Sequence, residues 1–203
     1  MSDDTTTRGD THREVTGSDD ARVLLIRRTY DAAVEDVWDA CTDPERISRW
    51  FRPVTGDLRP GGTFSIQHNA SGEILRCEPP RLLRLSWMYG DQPASQVELR
   101  LATAASGAAT VLELEHSAIS RRVDVAGRAV DPILNDAATG IWGLGTGWEL
   151  PLSFGLEQYL RGALPDRPAA EWFEVTDEVL GFADRTGAAW AAVVAEHAGG
   201  DRP

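Results

Sequence analysis

The sequence predicts an α+β domain in which a curved antiparallel sheet wraps around one long helix near its C-terminal end. Three observations predict it. Runs with period-two alternation follow the Pro60-Gly61-Gly62 turn between Thr63 and Ser117, separated by turns at Asn69 to Gly72 and Glu78-Pro79-Pro80. Two short helical signatures stand directly after the first β-rich run, and an apolar stripe of helical spacing runs from Trp148 to Tyr159.

Taken in order, residues 1–21 are Ser, Thr, Asp and Gly with hardly an apolar side chain, so a disordered N-terminal tail is expected. Arg22 to Tyr30 is rich in β-branched and large apolar residues and reads as the first strand. Val34, Val37, Trp38 and Cys41 share one face of a short helix. Asp43 as N-cap with Pro44 at the first helical position opens a second helix, ending near Trp50 and Phe51 ahead of Pro53. Strands follow over Thr63–His68, Glu73–Cys77, Arg81–Tyr89, Ser95–Ala102 and Thr110–Ser117. Their alternation gives one dry and one wet face, as in an antiparallel sheet. Residues 120–147 are long for a loop and rich in glycine. Thr146 with Glu149 matches a capping box, which predicts the start of the long helix; Pro151 lies awkwardly in its first turns. A last helix opens at Thr176, with Val179, Phe182, Thr186, Trp190 and Val193 on one face. The expected organisation is thus a tail over 1–21, a domain over 22–165 and a C-terminal helical extension over 166–203 packed on that domain.

Composition narrows the function. The 203 residues are 42% hydrophobic and 26% charged, the balance of a globular chain with a core of its own. A net charge of −12 and a pI near 4.7 argue against nucleic acid and against an anionic membrane surface. Every strong base is arginine, so this chain has no lysine for a Schiff base or a phosphate clamp. Cys41 and Cys77 fit no CxxC pattern, which points to buried thiols in a reducing compartment and to neither a zinc site nor a redox pair. With no apolar h-region at the N-terminus and no run of bilayer length, a cytoplasmic location is expected. No cofactor or metal is predicted. Gly143–Gly147 lacks the GxGxxG spacing of a nucleotide loop, and no GxSxG or HExxH motif is present.

Four blocks then carry a resemblance. Val37-Trp38 with Thr42-Asp43-Pro44-Glu45 and Trp50-Phe51-x-Pro53 is the first, and Asp57-Leu58-Arg59-Pro60-Gly61-Gly62-Thr63-Phe64 the second. Glu78-Pro79-Pro80-Arg81-Leu82 leading to Leu85-Ser86-Trp87 is the third, and Gly147-Trp148 the fourth. Together, over about Val23 to Leu160, the chain resembles the activator of heat-shock-protein-90 ATPase homologue-like family of the START-like (SRPBCC, helix-grip) superfamily. The segment after Leu160 resembles a bacterial subgroup with an added C-terminal helix. The longer loop before the long helix, and Pro151 within it, depart from the simplest members. The resemblance implies a hydrophobic cavity between sheet and helix, without one shared substrate.

The strand faces and the helix stripe converge on the same interior. Phe64, Ile66, Leu85, Trp87, Leu99, Leu114, Trp148, Leu152 and Tyr159 all point into it, and His68 and His116 continue its strand faces. Each apolar residue is individually explained by ordinary core packing. A bent sheet around one helix nevertheless leaves room for a ligand, with Trp87, Trp148 and Tyr159 able to orient it. The primary expectation is binding of a hydrophobic or aromatic small molecule. A cyclase- or hydrolase-like enzyme on an aromatic, polyketide-type substrate is the alternative, with His68, His116 and Arg76 as its polar candidates. A chaperone-ATPase-activating interaction protein, with a protein partner not identified by sequence, is a third reading that rests on the family's name alone. Glu113 and Glu115 fall on the wet face and are not expected to act as a catalytic pair.

Overall fold

The computed structural model describes residues 11–200 apart from 19–20, 91, 93, 126 and 139. Strands β1 (His12–Thr16), β2 (Arg22–Tyr30), β3 (Val54–Gly56), β4 (Thr63–Ile66), β5 (Ala70–Glu78), β6 (Leu82–Tyr89), β7 (Ser95–Thr103) and β8 (Thr110–Ile119) form one antiparallel sheet. Their order is β1-β2-β8-β7-β6-β5-β4-β3. Helices α1 (Val34–Thr42) and α2 (Pro44–Trp50) bridge β2 to β3 across the open end. Asp43 caps α2, its Oδ1 accepting from the amides of Glu45 at 2.8 Å and Arg46 at 3.1 Å. Along β2 the inward positions Leu24, Ile26 and Tyr30 are buried, and along β8 so are Leu112, Leu114 and His116. This is the period-two pattern of a sheet with one covered face.

The helix on that face runs without a break from Leu144 to Leu160. It begins as α3 (Leu144–Leu150), passes through a π-helical stretch at Pro151–Leu156, and ends as α4 (Glu157–Leu160). The sequence expectation of a start at Thr146 is corrected here. Gly143 is the N-cap, and Thr146 is buried inside the helix rather than capping it. The fault lies in reading Glu149 as a capping partner: it is 1% exposed and accepts from Arg13 Nε at 2.8 Å and Trp190 Nε1 at 3.2 Å. Pro151 does not break the helix. It removes an amide, and the helix widens so that the Glu157 amide reaches Leu152 O, where the Tyr30 hydroxyl also donates at 3.1 Å. Gly155 permits this wide turn to press on α2, since a Cβ there would stand 2.3 Å from Trp50 O.

Two further expectations change. The predicted tail is not uniformly outside the fold: His12–Thr16 pairs with β2, and Val15 is buried. Residues 1–10 lie outside the described residues. A segment this polar is held by ladder hydrogen bonds and by the Arg13–Glu149 ion pair, neither of which depends on apolar content. Second, residues 120–143 are ordered by a small hairpin, β9 (Val123–Val125) with β10 (Arg128–Val130), and by an Asp136–Ile141 bridge. The ion pair of Arg22 with Asp131 fastens this segment to β2.

The last helix, α5 (Asp177–Gly200), has its Val179 amide bonded to Thr176 Oγ1 at 3.3 Å and packs on α3 and β1. Trp190 is fully buried there against Gly145, where a Cβ would stand 2.5 Å from the indole ring. No helix among the described residues is long and apolar enough to cross a membrane.

Candidate ligand-binding site

Two neighbouring chambers, open to solvent and sharing Phe51, Trp87 and Trp148 in their walls, lie along the concave face of the sheet and the helix Leu144–Leu160. The inner one, about 180 Å³, is walled by Phe64, Ile66, Leu85, Leu99 and Leu114 of the sheet. Leu152 and Trp148 close it from the helix, and Trp50 and Phe51 from the end of α2. Trp50 Nε1 donates to Ala40 O at 2.9 Å, so its polar edge is satisfied away from the space. Cys41 and Cys77 also face this chamber. They are free thiols, partly buried, where the sequence points to buried ones. Apolar surroundings push the Cys41 thiol up to about 12, so at neutral pH it stays protonated and is a poor nucleophile.

The outer chamber is larger, about 470 Å³, and lies under residues 120–143. A bulge shapes it. The β2–β8 register shifts next to Ala118, which takes a positive φ of 59°, and the end of β8 bends away. Ser95, His116, Leu134 and Trp142 contribute to its wall. Trp87, Trp148 and Phe51 line both chambers. The two indole rings, 4.9 Å apart and inclined by 49°, stand where the chambers meet.

Their placement follows from a chain of hydrogen bonds. Trp148 Nε1 is 3.0 Å from His116 Nδ1, and an indole N–H can only donate. His116 Nδ1 is therefore the bare acceptor nitrogen, which puts the ring proton on Nε2. That proton is directed at Ser95 Oγ, 2.8 Å away, and the Ser95 hydroxyl donates to Trp87 O at 3.1 Å. Burial at 1% exposure pushes the His116 imidazole down to about 4, so the neutral form that this chain requires is the stable one. Both ring nitrogens are occupied. The histidine holds the tryptophans in place: its one ring proton goes to Ser95, and its bare nitrogen accepts from Trp148.

Of the residues that the sequence pointed inward, Phe64, Ile66, Leu85, Leu99, Leu114 and Leu152 line the inner chamber, His116 the outer, and Trp87 and Trp148 both. Two are corrected. His68 is exposed in the turn after β4, with φ 52°, because the strand ends at Ile66 and alternation no longer applies. Tyr159 lies away from both chambers: its hydroxyl accepts from Arg46 Nε at 2.8 Å, and the guanidinium groups of Arg46 and Arg49 lie over its ring. The π-helical turn rotates the stripe at this point, so spacing counted at 3.6 residues per turn carries Tyr159 to the wrong side. Arg76 is on the surface, paired with Glu78. Glu113 and Glu115 pair with Arg27 and Arg100. Phe51, Ser95, Cys77 and Trp142 are wall residues that sequence reasoning missed. Ser95 could have been found, since it heads the same strand face as Val97 and Leu99. Among the described residues no group of three His, Cys, Asp or Glu side chains is placed to hold a metal.

Comparison with known proteins agrees with this architecture. The profile of the family described as activator of Hsp90 ATPase homolog 1-like protein matches residues 31–137, just over half of the chain. CalU16 from Micromonospora echinospora is 41% identical. Its solution structure aligns with a TM-score of 0.72 over 95% of this chain and 100% of that one, and its crystal structure with 0.67 over 91% and 98%. DynU16, a protein of the dynemicin biosynthetic locus, is 25% identical with a TM-score of 0.53, covering 74% of this chain and 50% of that one. An uncharacterized Schizosaccharomyces pombe protein is 31% identical over 87 residues, which is 38% of this chain; the match spans only 26% of that relative's length.

Proposed function

We infer, since this chain belongs to the family of activator of Hsp90 ATPase homolog 1-like proteins, that it binds a hydrophobic or aromatic small molecule between the sheet and the long helix. The observation that carries this reading is the Trp87–Trp148 pair, held by His116 and presented to open space on both sides. A pair needed only for packing would be enclosed by side chains. Here apolar ring surface faces chambers of a size suited to a small molecule. The likeness to DynU16, a protein of a biosynthetic locus, supports a small-molecule ligand over a macromolecular one.

Binding is favoured over acid–base catalysis by the same geometry. His116 has both nitrogens engaged, and His68 and Arg76 lie outside the chambers. By area, burying about 200 Å² of apolar ligand surface gains roughly 5 kcal/mol before the cost of association, so micromolar affinity is expected. The test is a titration with the neutral probe N-phenyl-1-naphthylamine, following tryptophan fluorescence. Saturable quenching with a micromolar Kd is expected, weakened about tenfold or more in Trp87→Ala after circular dichroism shows the fold intact. Glu113→Gln, on the outer face of the sheet, should leave it unchanged. Absence of saturable quenching contradicts the reading.

A further inference from the structure

We propose that the two chambers form one composite site for a two-part aromatic ligand that is neutral or basic and carries no acidic group. Its single-ring apolar substituent enters the inner chamber and its larger body fills the outer one. This rests on the small-molecule reading above and extends it to the shape and charge of the ligand.

Shape follows from the volumes. A dry cavity of about 150 Å³ accepts benzene, so the inner chamber's 180 Å³ suits one aromatic ring and little more. A fused-ring body needs the outer chamber's 470 Å³. Because Trp87 and Trp148 border both spaces, a ligand occupying both lies against the indoles where its two parts join.

Charge follows from the outer wall. Asp124, Asp131 and Asp136 line it, Asp136 3.9 Å from Arg128, and no arginine is among its described lining residues; Arg59, on the wall of the inner chamber, is paired with Asp57. Arg22, the nearest guanidinium to Asp131, is bonded to that carboxylate and to Ser120 O. The start of the long helix also borders the chamber, and free amides there would attract an anion. They are occupied: Gly143 N–H donates to Asn135 Oδ1 at 3.0 Å, Leu144 N–H to Pro132 O at 2.7 Å and Gly145 N–H to Ile133 O at 3.2 Å. An anionic group in this chamber would stand beside carboxylates, with the first three amides of the helix start already bonded elsewhere.

The experiment compares three probes on three forms of the full chain. N-phenyl-1-naphthylamine has both parts, 1-naphthylamine lacks the phenyl ring, and 1-anilinonaphthalene-8-sulfonate adds an anionic group to the first. The forms are wild type, Gly147→Trp and Leu85→Phe. Gly147 lines the outer chamber and a Cβ there has no heavy atom within 4 Å, so a bulky side chain is accommodated at that wall; Leu85→Phe enlarges a side chain of the inner wall. Melting curves must first match wild type within a few degrees. Gly147→Trp should weaken both naphthylamines at least tenfold. Leu85→Phe should weaken the phenyl-bearing probe by a similar factor and leave 1-naphthylamine within twofold. The sulfonate should bind wild type at least tenfold more weakly than its neutral counterpart. Equal effects of Leu85→Phe on the two naphthylamines, or none from Gly147→Trp, would overturn the composite site while cavity binding survives. Equal affinity for the sulfonate would overturn the charge assignment. If no probe binds at all, the small-molecule reading falls together with this one.

Discussion

Trp148 Nε1 donates to His116 Nδ1 at 3.0 Å, and this bond ties the long helix to strand β8 at the point where the two chambers meet. It sets the tautomer of a histidine that is almost fully buried, and it fixes the indole that faces the open space.

A pH dependence follows. His116 has its folded pKa depressed to about 4 from an ordinary value of 6.5, by burial. The unfolded chain therefore binds the extra proton first as pH falls. The stability due to keeping this ring neutral is complete above about 6.5 and is lost progressively between there and about 4, an effect on the order of 3 kcal/mol. Urea denaturation at pH 7.5 and pH 4.5 should show a large drop in wild type and a smaller one in His116→Gln. Equal drops in the two proteins would mean that other groups carry the acid sensitivity.

Trp148→Phe keeps an aromatic ring, though a smaller one, and removes the donor to His116 Nδ1. The unsatisfied nitrogen should cost about 1–3 kcal/mol. Its tautomer preference should also relax, which 15N chemical shifts of the imidazole report. Shifts identical to wild type would contradict the assigned bond.

Arg13→Met leaves the Glu149 carboxylate, 1% exposed, without its charge partner. A loss of about 3–5 kcal/mol is expected, most of it recovered in Arg13→Met/Glu149→Gln, where the buried group is neutral and can still accept from Trp190. Thermal denaturation of the two variants checks this. No loss in Arg13→Met would show that β1 is held by its ladder alone.

Two glycines in one turn of the same helix should respond in opposite directions. Gly145→Ala drives a methyl group into the Trp190 ring and should lower the melting temperature by several degrees. Gly147→Ala meets open space and should raise stability by up to about 1 kcal/mol through helix propensity alone. Parallel changes in both would contradict the packing of α5 on α3.

Much of this was legible in the sequence, for identifiable reasons. Arg22–Tyr30 reads as a strand because every second residue is apolar or aliphatic-stemmed, and Asp43-Pro44 marks α2 because the cap chemistry is local. His12–Thr16 and Val123–Val130 are not legible, since their pairing depends on distant partners and on ion pairs such as Arg22–Asp131. The site divides the same way. Inner-chamber residues follow the alternation of β4 to β8, whereas the outer chamber is built by the segment 120–143 and by a bulge at Ala118, neither of which carries a periodic signal. Tyr159 was misplaced by a π-helical turn that Pro151 hinted at without locating.

The central claim, that a ligand seats against Trp87 and Trp148, is tested most directly by following the indole N–H signals in a 15N-labelled sample titrated with N-phenyl-1-naphthylamine. The account predicts large, saturable shifts for Trp87 and Trp148, with Trp190, which is enclosed against Glu149 and Gly145, left unmoved. Shifts confined to Trp172 or Trp190, or no indole shift at saturating probe, would contradict it.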